Sequence, residues 1–128
     1  MTTKIHNPAQ LPSPPTYSHG VEVPAGYRTL YVAGQVGVNK EFVSPPGIAA
    51  QTELAFSNVQ MVLRSAGMDL NNIVKTTVYL KDPKDYPEFV RVRSRLLGDT
   101  KPASTLIYIS GLVTPDLLVE LDATAVSP

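Results

Sequence analysis

The sequence predicts a layer of helices on a β-sheet, α+β or α/β, from two patterned stretches that adjoin and a third at the C-terminal end. Ala55, Val59, Val62, Leu63 and Ala66 recur at the spacing of one apolar stripe on a helix. Ile73 to Leu80 follows almost at once, rich in β-branched and aromatic residues. Its alternation puts Val74, Thr76, Val78 and Leu80 on one face and Ile73, Lys75, Thr77 and Tyr79 on the other. Leu117 to Val126 alternates in the same way. A helix that turns straight into such a strand packs its stripe on the sheet that strand joins, which excludes a helical bundle.

The remaining elements follow in order. Five of the twelve prolines fall within the first 24 residues, and each removes a backbone donor and fixes φ. Residues 7–16 therefore read as an extended arm, either a plain surface tether or a carrier that brings Tyr17 to the edge of a pocket. Ser18 to Val23 and Arg28 to Val36 suit two strands joined as a hairpin across Pro24, Ala25 and Gly26. Gly34, inside the second of them, marks a bulge or a close approach of backbone or ligand. A short strand is expected near Glu41 to Val43. The long helix off whose stripe Gln51, Glu53, Asn58, Gln60 and Arg64 point is expected to stop at Gly67, where a left-handed residue is needed.

Asp85 with Glu88 has the form of a capping box for a second helix, with Pro87 in its first turn, an apolar face of Phe89, Val90, Leu96 and Leu97, and a stop at Gly98. Arg91, Arg93 and Arg95 point around this helix and do not converge, so a solvated or subunit-facing surface is preferred to an anion site. Thr105 to Ile109 is a strand. In the last strand Leu117, Val119, Leu121, Ala123 and Ala125 form one face, and Leu118, Glu120, Asp122, Thr124 and Val126 the other. Two carboxylates on one face are costly to bury unpaired. That face looks either into solvent or into a cleft or subunit junction where a carboxylate can orient water.

Bulk properties narrow the function. The 128 residues fit one domain, 1–128. Eleven basic and eleven acidic side chains cancel, which argues against nucleic acid or an anionic membrane as partner. There is no cysteine, hence no thiolate nucleophile, and His6 and His19 are too few and too far apart for a zinc site. No metal and no other cofactor is expected. Without a signal peptide or an apolar span, the expected location is cytoplasmic.

Several blocks resemble, in order and spacing, the RidA/YjgF family: Tyr17 to Gly20, Ala33 to Val36, Asn58 to Gly67, Asn72 to Asp82, Lys101 to Ala103, and Glu120 to Val126. The resemblance implies an α+β, chorismate-mutase-like fold with two helices packed on one face of a β-sheet. It implies a homotrimer with a barrel-like core, small-molecule clefts between subunits, and cofactor-free hydrolysis of imines or enamines. In typical members an arginine after the Pro-Ala pair clamps the substrate carboxylate, a glutamate on the last strand helps activate water, and the tyrosine of the arm closes the pocket. Tyr17 is retained. The arginine position is Ser104, the glutamate position falls at Asp122 with Glu120 two residues earlier, a frequent cysteine is Leu106, and an asparagine of the second helix is Val90.

Losing a bidentate clamp removes on the order of 2–5 kcal/mol of binding. The resemblance therefore implies a divergent hydrolase or deaminase acting on a small imine, enamine or related compound, and not a typical 2-iminoacid deaminase. Asp122 and Glu120 are the candidate catalytic residues; Tyr17, Ser104, Thr105, Gly34 and Leu106 are the candidate binding residues. Arg28, Arg91, Arg93 or Arg95 could replace the lost cation. The alternative is a non-catalytic trimer that binds a metabolite or a protein. Ribonuclease action, also associated with relatives, is disfavoured by the zero net charge and the lack of a histidine pair.

Overall fold

The structure, a computed structural model, describes residues 2–128. Its strands are β1 (Lys4–His6), β2 (Gly20–Glu22), β3 (Arg28–Val36), β4 (Ile73–Leu80), β5 (Ala103–Tyr108) and β6 (Val119–Ser127), with helices α1 (Ile48–Ser65) and α2 (Tyr86–Leu97). The main sheet runs β3-β6-β4-β5, with β6 antiparallel to both neighbours and β4 parallel to β5. The two helices pack on one face of this mixed sheet, as the α+β expectation requires. Phe56, Val59 and Leu63 of α1 and Phe89 of α2 meet Val78, Leu80, Val119 and Leu121 in a closed apolar core.

The helix stop at Gly67 stands: its φ is 73°, and the Met68 N–H reaches back to the Leu63 carbonyl at 2.9 Å. The alternation of β6 also stands, with Val119, Leu121, Ala123 and Ala125 buried and Glu120, Asp122 and Thr124 half-buried on the other face. In β4 the inward set is Ile73, Thr76, Val78 and Leu80, because a register shift between Ile73 and Lys75 exchanges Ile73 with Val74. Asp69 and Asn72 form a reciprocal cap on the turn before β4, and Asn72 Nδ2 donates to the Val126 carbonyl at 3.0 Å.

Several expectations are corrected. The hairpin between Ser18–Val23 and β3 does not form: β2 pairs with β1, and β3 pairs with β6. Only β6 offers β3 a partner that buries Val32 and Val36, whereas the β1–β2 pair is short and largely exposed. Residues 41–43 are a turn, because Asn39 Oδ1 accepts the Glu41 and Val43 N–H groups at 3.0 and 2.9 Å. Asp85 makes no capping bond. Asp82 Oδ1 accepts the Lys84 N–H instead, opening a 3-10 turn at Pro83–Asp85 before α2.

Two polar residues expected off the helix stripe face inward. Asn58 Nδ2 donates to the Val36 and Val38 carbonyls at 3.0 and 2.9 Å. Gln51 is buried, donates to the Pro45 and Asp116 carbonyls at 3.0 and 2.9 Å, and accepts the Leu118 N–H at 2.8 Å. It ties the loops before α1 and before β6 to one side chain. Gln51→Leu keeps the volume but orphans these groups, so it is expected to lower unfolding free energy by about 1–3 kcal/mol with the urea slope unchanged. Equilibrium urea unfolding checks this.

Candidate functional site

The carboxylates of β6 stand on the sheet face away from the helices. In register, Asp122 lies opposite Thr77, and Glu120 lies opposite Tyr79 on one side and Val36 on the other. Asp122 Oδ1 accepts the Thr77 N–H at 3.1 Å, which orients this carboxylate from the backbone. The Glu120 carboxylate makes no hydrogen bond or ion pair with any described residue.

Gly34 explains how Glu120 is accommodated. The β3–β6 register shifts between Val32 and Gln35, so Ala33 and Gly34 form the bulge the sequence suggested, opposite Asp122. A Cβ built on Gly34 would lie 3.0 Å from Glu120 Cδ and collide with its Oε2. The missing side chain is what lets the Glu120 carboxylate lie over the strand.

Thr105 belongs to this face too, being paired with Thr77, and its Oγ1 accepts a hydrogen bond from Lys75 Nζ at 2.8 Å. Lys75 is a residue the sequence reading did not single out. Strand alternation already placed it with Thr77, but nothing in that pattern told a solvent lysine from one bonded to the neighbouring strand.

Ser104 and Leu106 point the other way. Ser104 pairs with Thr76, whose neighbour on β6 is the buried Ala123, so all three share the helix-side face. Thr76 Oγ1 lies 3.0 Å from Ser104 Oγ, and Leu106 packs against the core. Tyr17 is held nearby by the arm. Ser18 forms a parallel bridge with Ala103, donates its N–H to the Pro102 carbonyl at 3.1 Å, and donates its hydroxyl to the Lys101 carbonyl. The Tyr17 ring meets His19 edge-on at 5.5 Å, and His19 Nε2 lies 2.8 Å from the Pro12 carbonyl. The arm is therefore fastened along the start of β5, and is not a loose tether.

Two groups thus lie on opposite faces of one sheet, Ser104 and Leu106 on the helix side of β5 and Asp122, Glu120, Gly34 and Thr105 on the open face, while Tyr17 sits outside the sheet, next to the Ser18–Ala103 bridge. A cavity of about 370 Å³ opens elsewhere, between β1, the turn before β4 and the loop before β5, and none of the candidate residues lines it.

Of the arginines considered for the lost cation, Arg28 donates to the Ala66 carbonyl, Arg91 pairs with Glu88, and Arg95 pairs with Glu53. Arg93 departs from the expected surface, being buried beneath the arm with Nη2 donating to Thr16 Oγ1. Alternating charges around a short helix carry no signal for which of them a distant segment will cover.

The class is set by these features: a mixed sheet with two helices on one face and a carboxylate pair on the other. Residues 9–127 match the family described as endoribonuclease L-PSP, and the chain belongs to it, in agreement with the RidA/YjgF resemblance. A RutC family protein of Pyrococcus abyssi is 37% identical over 75% of this chain and 76% of its own length. A mouse 2-iminobutanoate/2-iminopropanoate deaminase is 33% identical over 86% of this chain and 80% of its own length. The crystal structure of YyfB from Yersinia pestis, described as a protein of unknown function in the conserved Rid protein family, matches with a TM-score of 0.86 at 32% identity over 98% of each chain. No helix among the described residues is long and apolar enough to cross a membrane.

Gly34→Ala is expected to displace the Glu120 side chain with little change in fold, because the collision is with a movable carboxylate and not with backbone. A crystal structure of the variant checks the rotamer, and unchanged Glu120 coordinates would contradict the close-packing account.

Proposed function

We propose that this protein is a cofactor-free deaminase of the RidA type that hydrolyses a small imine or enamine at a cleft between subunits of a homotrimer, with Asp122 positioning the attacking water. One observation carries this reading: the carboxylates and Ser104 lie on opposite faces of the sheet. They cannot close on one ligand within a single chain, so a site that uses both draws them from two copies. Exposed apolar side chains support such an assembly, Tyr31 at 79% on β3 and Ile107 and Tyr108 on the edge strand β5. The deaminase names of mammalian relatives support the reaction class.

Asp122 is suited to general-base work because the Thr77 N–H fixes one oxygen and leaves the other for a water within about 3 Å. Glu120, unpartnered beside it, adds negative potential that favours a cationic iminium carbon. Hydrolysis adds water across the C=N bond, and the carbinolamine then expels ammonia to leave a carbonyl. Tyr17 covers the ligand, Thr105 offers a hydroxyl, and Gly34 leaves room for the Glu120 carboxylate beside it. Ser104 supplies only a neutral hydroxyl, so the preferred substrate is less acidic than a 2-iminoacid. Endoribonuclease action gains no support from the histidines, since His6 faces Glu22 at 2.7 Å in the β1–β2 pair and His19 faces Pro12 in the arm.

Asp122→Asn is expected to cut ammonia release about 100-fold or more, the usual range for a positioned general base. Tyr17→Ala should also be impaired, and mixed assemblies of the two variants should regain about a quarter of wild-type activity if each site joins two subunits head to tail. Failure of the mixture to exceed either parent would exclude a shared site. Ammonia release from no member of an imine and amide panel would favour a purely binding trimer.

A second expectation concerns charge. Wild type should turn over 2-iminobutanoate poorly, and Ser104→Arg should raise kcat/KM on it about tenfold or more by restoring a bidentate carboxylate partner. Rapid wild-type turnover of that substrate would contradict the neutral-pocket argument.

A further inference from the structure

Arg93 presents a charge that the fold leaves uncompensated. It is 6% exposed, no carboxylate pairs with it among the described residues, and its buried Nε has no hydrogen-bond partner. Its protein contacts are the Thr16 hydroxyl, which accepts from Nη2, and the Phe89 ring, whose centroid lies 5.4 Å from Cζ. Burial pushes the guanidinium below its usual range, and the Tyr86 phenol offsets this only in part, the direction expected when no carboxylate compensates the desolvation. An arginine buried this way, with most of its donors unused, is costly unless something else supplies acceptors.

The surroundings fit that missing partner. Arg93 lines a recess of about 80 Å³ between α2, the arm and the loop before β5, shared with Thr16, Ser94, Thr100 and Lys101. Two cations and three hydroxyls line it, and no carboxylate does. A water-filled recess would leave the charge unpaired; a small oxyanion would accept from the guanidinium, the ammonium and the hydroxyls together.

We propose that this recess is a binding site for a small oxyanion, a phosphate or carboxylate group, seated between Arg93 and Lys101. It is separate from the carboxylate face of the sheet. Because its walls come from α2, the arm and the residues leading into β5, an occupant links the segments that carry Tyr17 and Ser104.

The test is thermal unfolding of the full-length protein titrated with sodium phosphate and, separately, sodium acetate, with sodium chloride holding ionic strength constant. A bound anion raises the midpoint saturably in wild type. Arg93→Met keeps an apolar stem against Phe89 and is expected to abolish the response; exposed Lys101→Ala is expected to raise the half-saturating concentration about tenfold. Circular dichroism establishes that each variant is folded, and Lys101→Ala decides the matter if Arg93→Met is not. No saturable rise with either anion overturns the site, as does a response with unchanged half-saturation in Lys101→Ala.

Discussion

Strand β6 is hydrogen-bonded on both sides, to β3 and to β4, and its two-residue alternation governs both the core and the carboxylate face. Val119, Leu121, Ala123 and Ala125 close the core beneath the helices, which obliges Glu120 and Asp122 to stand on the other side. A slip of one residue would drive both carboxylates into apolar surroundings and expose the apolar set, so burial enforces the register from both directions. The bulge at Ala33–Gly34 is the one departure in the β3–β6 ladder, and it lies under the carboxylates.

The irregular segments are tied to this frame by side chains bonding to backbone. Gln51 joins the loops before α1 and β6, Asn58 joins α1 to the end of β3, and Ser18 joins the arm to the residues leading into β5. Each of these satisfies backbone groups that no strand or helix partners. The close approach at Gly37, where a Cβ would fall 2.7 Å from Gln51 Cα, seats the start of α1 on the end of β3. The consequence for function is positional. The arm, with Tyr17, is held at the sheet edge, while Glu120 and Asp122 stand on the open face.

Much of this was legible in the sequence. The stripe of α1, the stop at Gly67, the alternation of β6 and of β4 from Thr76 onward, and the bulge at Gly34 are local patterns, set by residues within a few positions of one another. The family resemblance rested on the same blocks. What the pattern misjudged involved distant partners: β2 pairs with β1 and not with β3, Gln51 turns inward to loops on both sides of it in the chain, and Arg93 lies under an arm whose Thr16 is 77 residues earlier in the chain.

Sequence alone determined the two helices and the strands of the main sheet, the face of β6 that carries Glu120 and Asp122, and the neutral residue at position 104, because side-chain direction within a helix or strand follows from local periodicity. Tertiary structure alone decided that Ser104 and Asp122 face opposite sides of the sheet and that Arg93 is buried without a carboxylate. Relative facing across strands depends on register between segments far apart in the chain, and burial of a charge depends on which segment comes to cover it. Neither quantity is written in the spacing of neighbouring residues.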